Sequence, residues 1–418
     1  MRFCKRFLTA AAACAVMCAA VPVFPVYADD IPRSGTMGEN ITWELDDAGL
    51  LTITGTGAMT NFGAYGAPYN KLRNEVLAVS ISDGITNLGS GAFCACKITE
   101  IVLPDSIETI GEYAFYSCSS LVSVQFPANL KTIGSEAFTR CSKLTEVNLP
   151  DSLTAIGAYA FGDCPMKSFV IPPHVTSLGG SLFDSCGALE EITIPESVTS
   201  FGPSVFSRTP WLEAKRAEDP LVIVNNVVVD GRKCTGQVVI PDTVTALTGM
   251  CFYGCGGMTG IELSSNITDI PDNTFEECGL TEITLPASVA HIGTEAFWGC
   301  GNLEMVTILN PDCVIETEDD SHTFPYDTKI SGYEGSTAQE YAKYRRTFVS
   351  LGEPPVYEKG DLNRDGEITL ADAVLYQRFL LGEILLPDAV GPLADMDDDK
   401  KLNAKDYTLL KQKLLAAS

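Results

Sequence analysis

Basic side chains, histidines and long apolar runs are all scarce in this chain of 418 residues. The chain has 28 Lys and Arg against 54 Asp and Glu, a formal net charge of −26, and contact with phosphates needs clustered cations that it lacks. Three histidines leave little material for His-based catalysis or for His-rich metal sites. After the N-terminal segment, no stretch is long and apolar enough to cross a membrane. We therefore expect no nucleic-acid partner and no membrane span.

The first 28 residues are typical of a secretory signal. A basic start is followed by an apolar run over residues 7–20, and the small residues Val26 and Ala28 stand at positions −3 and −1 of a cleavage site after Ala28. A retained membrane anchor is the alternative, but the apolar run is short and rich in alanine. We predict a signal peptide over 1–28 and a secreted, extracellular protein.

The middle of the chain repeats with a period of 22 or 23 residues. Each period carries an Ala-Phe pair or a close equivalent, and in most periods a cysteine follows the phenylalanine by three positions. The phenylalanines are Phe93, Phe115, Phe138, Phe161, Phe183, Phe206, Phe252, Phe275 and Phe297. The cysteines are Cys96, Cys118, Cys141, Cys164, Cys186, Cys255, Cys278 and Cys300. This pattern is typical of a leucine-rich solenoid, whose units bury their apolar faces by stacking on their neighbours.

Within one repeat the sequence predicts a strand and then a turn. In the unit over residues 144–164, Val147 and Leu149 alternate with polar residues, which is the period of a half-buried strand. A proline ends each such segment, because it cannot donate to a ladder of backbone hydrogen bonds. The step Ile156-Gly157 is expected to turn the chain, and the segment around Phe161 is expected to return across the convex side with its ring in the interior.

These repeats resemble the BspA-like class of bacterial leucine-rich repeats, found on secreted and surface proteins, over about residues 76–348. The resemblance implies a right-handed α/β solenoid with a parallel β-sheet and short convex-side helices. Residues 34–59 look like the small β cap that precedes such arrays, and residues 333–348 like the unit that closes them. The stretch 211–236 departs from the repeat, and its apolar runs 221–224 and 227–229 predict an inserted hairpin that either bends or interrupts the array.

Twelve of the fifteen cysteines lie after residue 28, and an even number in an exported protein favours disulfides. Eight of them share one position of the repeat, as a small apolar residue in a solenoid interior does, so we predict buried free thiols there. Cys94, Cys234, Cys251 and Cys313 lie outside this column and could pair, with no pairing deducible. A spacing of one repeat is not the Cys-x-x-Cys spacing of a metal site.

Two similar acidic segments, residues 361–372 and 395–406, predict calcium-binding loops. Each has oxygen-bearing side chains at loop positions 1, 3, 5 and 12 and a backbone carbonyl at position 7, which a hard cation such as Ca²⁺ requires. The predicted ligands are Asp361, Asn363, Asp365, Glu367 through its carbonyl, Asp372, Asp395, Asp397, Asp399, Lys401 through its carbonyl, and Asp406. Position 6 favours a left-handed backbone, which suits Gly366, whereas Lys400 there adds about 1 kcal/mol of strain.

An amphipathic helix is predicted after each loop. Thr369 and Asn403 stand three residues before the last ligand of their loops and are predicted helix N-caps. The apolar residues expected to form a shared core are Ile368, Leu402, Leu375, Phe379, Leu380, Leu409, Leu410, Leu414 and Leu415. A solvated acidic turn is the alternative for a single loop, but it does not account for two copies that are each followed by such a helix.

The paired segments resemble a type I dockerin, the duplicated calcium module that attaches enzymes and accessory proteins to cellulosome scaffolds. This family lacks the incoming helix of the EF-hand and uses Asp at position 12, as both loops do here. The resemblance implies two Ca²⁺ ions and a cohesin partner. It implies cohesin contact at Leu370, Ala371, Gln377 and Arg378 in the first copy and at Ala404, Lys405, Lys411 and Gln412 in the second. The two copies differ at these positions.

The sequence therefore predicts a domain order. A signal peptide (1–28) precedes an N-terminal β cap (29–75), a leucine-rich-repeat domain (76–350) with an insertion near 211–236, a linker (351–359) and a small all-α dockerin (360–418). A candidate ligand surface is the exposed sheet face with Glu100, Glu146, Glu191 and Glu282, which favours a basic partner or a cation; a solvated face without a ligand is the alternative.

Three functions compete. The leading hypothesis is a secreted, non-catalytic accessory protein, docked through its dockerin onto a cohesin-bearing scaffold, whose repeats bind a protein or polysaccharide. The second is a cellulosomal hydrolase in polysaccharide catabolism with an unrecognised catalytic site, since paired carboxylates could occur among so many. No nucleophile elbow, zinc-protease motif or phosphate loop is present in the sequence, which favours the first. The third is adhesion to a cell or to a wall polymer.

Overall fold

The computed structural model of the protein describes residues 31–316, 323–343, 346–382, 384, 386 and 390–417. The predicted signal peptide lies outside these residues. Among the helices of the described part, none has the length and apolar character needed to cross a membrane. From Ser34 the chain winds into stacked turns of mostly parallel strands, and a small helical region follows.

The first strands form a sheet at one end of the stack. Its strands are Ser34–Gly38, Ile41–Leu45, Leu50–Gly55 and Ala78–Ile81. The first three pair antiparallel, and the third pairs parallel with the fourth, so the sheet passes directly into the repeats. Trp43 lies against Tyr69 at a centroid distance of 5.2 Å, just before the 3-10 helix Asn70–Leu72. These strands occupy the segment for which the sequence predicts a β cap.

A ladder of short parallel strands runs along the stack at the Ile-Gly positions. Its strands are Gly57–Ala58, Ile85–Leu88, Thr109–Ile110, Thr132–Ile133, Ala155–Ile156, Ser177–Leu178 and Ser200–Phe201. The sequence predicts only a turn at Ile156-Gly157, so the short-strand ladder corrects that prediction. Glycine follows the strand because the turns approach closely: a Cβ on Gly157 would lie 2.5 Å from the backbone nitrogen of Ser135.

A second set of parallel strands is discontinuous, and six of its strands end within two residues of one of the prolines predicted to end them. Its strands are Glu100–Val102 with Ser123–Gln125, Ser168–Val170 with Glu191–Thr193, Gly236–Val239 with Met258–Glu262, and the series Glu282–Leu285, Met305–Ile308, Lys329–Gly332 and Phe348–Ser350. The prediction of a strand around Val147 and Leu149 is wrong about the backbone, although the predicted exposed positions are exposed. Glu146 and Asn148 are exposed and Val147 is half-buried, but the backbone there is not part of any strand.

The Ala-Phe segments form turns rather than the short helices that the sequence leads us to expect. The residues two before and two after each phenylalanine are left-handed; around Phe115 these are Tyr113 and Ser117, both with φ of 57°. A right-handed helix cannot accommodate them. The backbone amides bond to the next turn instead, as when Phe115 N donates to the Ala137 carbonyl at 2.8 Å.

Stacked phenylalanines and cysteines fill the interior, as predicted. The Phe115 and Phe138 rings lie 5.0 Å apart and nearly parallel, and Phe138 and Phe161 lie 5.3 Å apart. Burying one such ring is worth roughly 1.5–3 kcal/mol. The thiol of Cys141 donates to the Phe115 carbonyl at 3.3 Å, a contact that recurs along the column. All twelve cysteines of the described part are free and buried, which confirms the prediction for the column and leaves the other four unpaired.

The insertion is a helix followed by the predicted hairpin. Helix α1 (Pro210–Glu218) begins at the Thr209 cap, and strand Val222–Val224 pairs antiparallel with Val227–Asp230. The latter strand pairs parallel with Ala246–Leu247, so the insertion interrupts the short-strand ladder, which ends at Ser200–Phe201 and restarts here. Later in the array, the short strands Asp269–Ile270, His291–Ile292 and Val314–Ile315 pair parallel as a separate ladder.

Buried Asp230 ties the helix of the insertion to its hairpin. Its carboxylate accepts from Arg216 Nε and Nη2, both at 2.8 Å, and from Arg232 Nε at 2.7 Å. A carboxylate that is 1% exposed needs such partners, because an unpaired buried charge is costly.

Four more helices follow in the described part of the chain. Helix α2 (Thr337–Ala342) lies in the segment predicted to close the array, between the last two strands. Helices α3 (Leu370–Leu380), α4 (Gly391–Ala394) and α5 (Ala404–Ala417) make up the small C-terminal region.

Candidate metal centre

The two acidic loops have the same backbone shape. Position 4 is left-handed in both, with φ of 58° at Arg364 and 64° at Asp398, and so is position 6, with 91° at Gly366 and 63° at Lys400. The expected left-handed conformation at position 6 is confirmed, and in the second copy a lysine adopts it. Each loop is therefore wound so that alternate side chains point towards one centre.

The second loop brings three carboxylates together. Ligand oxygens of Asp395, Asp397 and Asp399 all lie within 4.8 Å of one another. Backbone amides hold Asp395 in place, from Asp399 at 3.2 Å and Lys400 at 2.9 Å. Three carboxylates this close repel one another, and a divalent cation is the simplest compensation.

In the first loop, Asp361 has an unsatisfied oxygen. Its Oδ2 accepts from Gly366 N at 3.0 Å, whereas its buried Oδ1 has no hydrogen-bond partner among the described residues. Burial, followed by the charge of Asp372, raises the pKa of Asp361 to about 6. A buried carboxylate oxygen without a donor is free to coordinate a cation, so the residues fit a Ca²⁺ ion.

Asn363 and Asp365 complete the set in the first loop. The Asn363 amide nitrogen lies 2.7 Å from Asp365 Oδ2, and Glu367 N donates to Asp365 Oδ1 at 2.8 Å. These hydrogen bonds keep positions 3, 5 and 7 close together, as shared coordination of one ion requires. The residue at position 7 would contribute its carbonyl.

The aspartates at position 12 also bind backbone amides. Asp372 accepts from Leu362 N and Thr369 N, both at 2.7 Å, and Asp406 accepts from Met396 N at 3.0 Å and Asn403 N at 3.1 Å. Burial raises the pKa of Asp372. These carboxylates therefore join the entry of each loop to the start of its helix, which is a role beyond the calcium ligation expected of them. Asp406 is not one of the three clustered carboxylates of its loop.

The predicted helix caps are confirmed. Thr369 Oγ1 accepts from Ala371 N at 3.2 Å and forms a capping box with Asp372. In the second copy Asn403 Oδ1 accepts from Lys405 N at 2.9 Å, one residue after helix α5 begins. Each loop thus ends in a helix whose first turn it organises.

A small apolar core holds the two copies together. Its buried members are Leu362, Ala373, Leu375, Tyr376, Val390, Ala394 and Leu410, with Ile368 and Leu402 packed against them as expected. Three expected members are not in this core: Leu380 is 37% exposed, Leu415 is 76% exposed, and Leu409 is half-buried without packing against it. The helical pattern predicted which face of each helix is apolar, but not how far along that face the other dockerin copy packs.

The eight residues predicted to contact cohesin differ in their surroundings. Leu370 and Gln377 in the first copy are exposed, and so are Ala404, Lys405, Lys411 and Gln412 in the second. Ala371 and Arg378 are partly covered. Lys405 also forms an ion pair with Asp397, which lowers the pKa of that carboxyl group. The sequence pattern did not predict an ion pair between this lysine and one of the predicted calcium ligands.

On the solenoid, the four predicted glutamates are all exposed. Glu100 pairs in register with Ser123, and Glu191 with Ser168, so in this region a glutamate occurs on every second turn. With strands spaced about 4.8 Å apart, neighbouring glutamates lie roughly 10 Å apart. The glutamates therefore form a dispersed acidic row rather than a cluster.

Comparisons with known proteins agree with both parts of this architecture. Family models match the BspA type leucine rich repeat region over residues 73–187, 110–228 and 230–326, which together exceed half of the chain. The dockerin type I domain matches residues 359–415. No curated protein matches the chain.

Similar solved structures are bacterial leucine-rich-repeat proteins. One from Eubacterium ventriosum ATCC 27560 is 20% identical with a TM-score of 0.41, over 76% of this chain and 85% of that one. One from Bacteroides ovatus ATCC 8483 is 25% identical with a TM-score of 0.37, over 75% and 78%. A leucine rich cell surface protein from Faecalibacterium prausnitzii A2-165 is 25% identical with a TM-score of 0.35, over 78% and 100%.

The two matched families define the broad biology. Both occur on extracellular, cell-surface or cellulosome proteins. Type I dockerins bind calcium and have cohesin modules as partners, and leucine-rich repeats provide a binding surface for a ligand. The chain belongs to the BspA-type leucine-rich-repeat family and carries a type I dockerin in residues 359–415.

Proposed function

We propose that this chain is a secreted, non-catalytic accessory protein that its calcium-loaded dockerin attaches to a cohesin-bearing scaffold. The observation that carries the proposal is the duplicated loop, with matching left-handed positions, an orphaned buried oxygen on Asp361 and three close carboxylates in the second copy. Each loop takes one Ca²⁺ ion through the predicted ligands. The solenoid then presents its exposed face to a protein or polysaccharide, in polysaccharide degradation or adhesion.

Calcium has a structural role in this proposal. When bound, it supplies the positive charge that the clustered carboxylates lack and fixes the path of each loop. The residues at position 12 then set the start of α3 and α5, because their carboxylates already hold the helix caps. The cohesin-facing side chains along these helices are ordered as a consequence.

A capture experiment with a calcium-ligand variant tests the proposal. The full chain is passed over a panel of immobilised type I cohesin modules, with Ca²⁺ or with EGTA. Capture by at least one cohesin in Ca²⁺ is expected, with loss in EGTA. The double substitution Asp361→Ala with Asp365→Ala removes two charged ligands and should weaken the first calcium site on the order of 100-fold, or about 2.7 kcal/mol, in a calorimetric titration.

The matched control removes two carboxylates elsewhere. Glu146→Ala with Glu191→Ala changes the net charge equally on the exposed face of the solenoid and should leave calcium binding and cohesin capture unchanged. Capture that is indifferent to EGTA would contradict the proposal. The competing hydrolase hypothesis predicts turnover on a polysaccharide panel that a single Asp or Glu substitution abolishes, and the proposed function predicts none.

A further inference from the structure

The first copy of the dockerin touches the solenoid through a buried arginine. The side chain of Arg364, in the first calcium loop, is 4% exposed. Its Nη1 donates to Asn310 Oδ1 at 2.9 Å and to Asp312 Oδ2 at 3.0 Å, and its guanidinium lies over the Tyr357 ring of the linker at 5.6 Å. Arginine is seldom buried unless it is paired, so this contact is specific.

The solenoid holds the receiving side of this contact in place. Asn310 is 2% exposed; its Nδ2 donates to the Val289 carbonyl at 2.9 Å, and its Oδ1 also accepts from Asp312 N at 3.0 Å. The solenoid therefore fixes the Asn310 acceptor and the backbone at Asp312 without the dockerin.

Helix α3 makes a second contact. Arg378 Nη1 donates to the carbonyl of Thr245, on the restarted short-strand ladder, at 3.3 Å. Val374 and Leu381 of the same helical segment border a cleft of about 970 Å³, whose opposite wall includes Phe201. The first copy thus lies against the solenoid at two places far apart in sequence, within the single compact unit Arg33–Ser418.

Among the residues that the structure describes, the second copy has no equivalent contact with the solenoid. Asp398 occupies the loop position of Arg364, is exposed, and pairs with Lys359 of the dockerin. Ala404, Lys405 and Lys411 on α5 are also exposed. The two copies have nearly the same fold, but they differ in what they contact.

We propose that the first dockerin copy is a docking surface for the solenoid of the same chain, and that calcium in the first loop stabilises this contact. Arg364 lies between the predicted ligands Asn363 and Asp365, so the conformation that binds the ion is also the one that directs its guanidinium to Asn310 and Asp312. Linkage makes the effect reciprocal: docking strengthens the first calcium site as much as calcium strengthens docking. The consequence for cohesin rests on the proposed function: the helix face of the second copy is left to bind it.

Hydrogen exchange of the full chain, with Ca²⁺ or EGTA, tests the docking directly. Calcium should slow exchange of the solenoid amides at 245–247 and 310–314 at least about fivefold, although no predicted ligand lies there. Arg364→Ala should abolish this difference. The matched control Asp398→Ala, at the same position of the second loop, should retain it. Solenoid amides that do not respond to calcium, or that respond equally in the Arg364→Ala variant, would overturn the inference.

A calcium titration of Arg364→Ala distinguishes docking from a purely local electrostatic effect, because the two change the calcium affinity of the first site in opposite directions. Removing a positive charge beside the ion should strengthen binding if only local electrostatics operate, whereas lost docking should weaken the first site roughly 5–10-fold. Asp312→Ala, on the solenoid side and outside the loop, should reproduce part of the loss. It should add nothing to Arg364→Ala in the double variant, whereas additive effects would contradict a shared contact.

The inference and the proposed function fail separately. Undiminished cohesin capture by Arg364→Ala with unchanged hydrogen exchange would reject docking and leave the proposed function intact. Absence of calcium-dependent capture in the original chain would reject the proposed function, while hydrogen exchange would still decide the docking.

Discussion

The solenoid and the dockerin are filled with different kinds of side chain. In the solenoid, stacked phenylalanines and hydrogen-bonded thiols form a repeating apolar interior. In the dockerin, Asp361, Asp372 and Asp406 are buried beside a much smaller apolar core. One region is therefore stabilised by the stacking of its own repeats, whereas the other needs a cation to offset its buried carboxylates.

The largest expected effect lies in the solenoid. Phe138→Ala leaves a cavity between two stacked rings and should lower the free energy of unfolding by about 3–5 kcal/mol. The tryptophans Trp43, Trp211 and Trp298 all lie in the cap or the repeats and none in the dockerin, so tryptophan fluorescence during urea denaturation measures this loss. Calcium binding should be retained, because the cavity is not in the dockerin.

A matched control uses an exposed apolar residue of the same region. Val102 is 61% exposed, and Val102→Ala should change the stability by less than about 0.5 kcal/mol. If the two substitutions cost the same, the stacked rings are not the source of stability. If Phe138→Ala also abolishes calcium binding, the two regions do not fold independently.

Removal of calcium should act on the other region. At a free concentration of 100 times the dissociation constant, one bound ion stabilises the folded dockerin by about 2.7 kcal/mol, which EGTA removes. Circular dichroism at 222 nm, which follows the helices concentrated in the dockerin, should show a lower melting temperature in EGTA. Tryptophan fluorescence should show a much smaller shift, and equal shifts by both probes would contradict the comparison.

The smallest effect compares the two loops with each other. Lys400→Gly should stabilise the dockerin by about 1 kcal/mol, because glycine adopts the left-handed conformation without strain. Gly366→Ala, at the same position of the first loop, should destabilise it by a similar amount; a Cβ there meets no other atom within 4 Å, so backbone strain alone is tested. The measurement is thermal unfolding at 222 nm in Ca²⁺, and changes of the same sign would contradict the explanation.

Much of the fold could be predicted because each signal is local and repeated. The phenylalanine and cysteine columns identified the solenoid interior, and the paired ligand patterns identified two equivalent loops with capped helices. The Ala-Phe turns could not be recognised as such, because residues such as Tyr113 and Arg140 have no preference for the left-handed backbone they adopt. Hydrogen bonds to the adjacent turn impose it.

The candidate site shows the same division. The ligand types and their spacing follow from residue identity, and so does the preference at position 6. The ion pair of Lys405 with Asp397 and the hydrogen bonds from Leu362 N and Asn363 N to Asp372 depend on how each loop closes on itself. The spacing of residues along the sequence does not predict these contacts.

The period of the solenoid, the free thiols of its column and the positions of the two acidic loops follow from residue type and short-range spacing, so the sequence is enough to predict them. The interruption of the ladder by the insertion, the burial of Arg364 against Asn310 and Asp312, and the different surroundings of the two dockerin copies arise from contacts of the folded chain. The Arg364 contacts join residues more than 50 positions apart, and their energy comes from burial and pairing that exist only after the chain has folded.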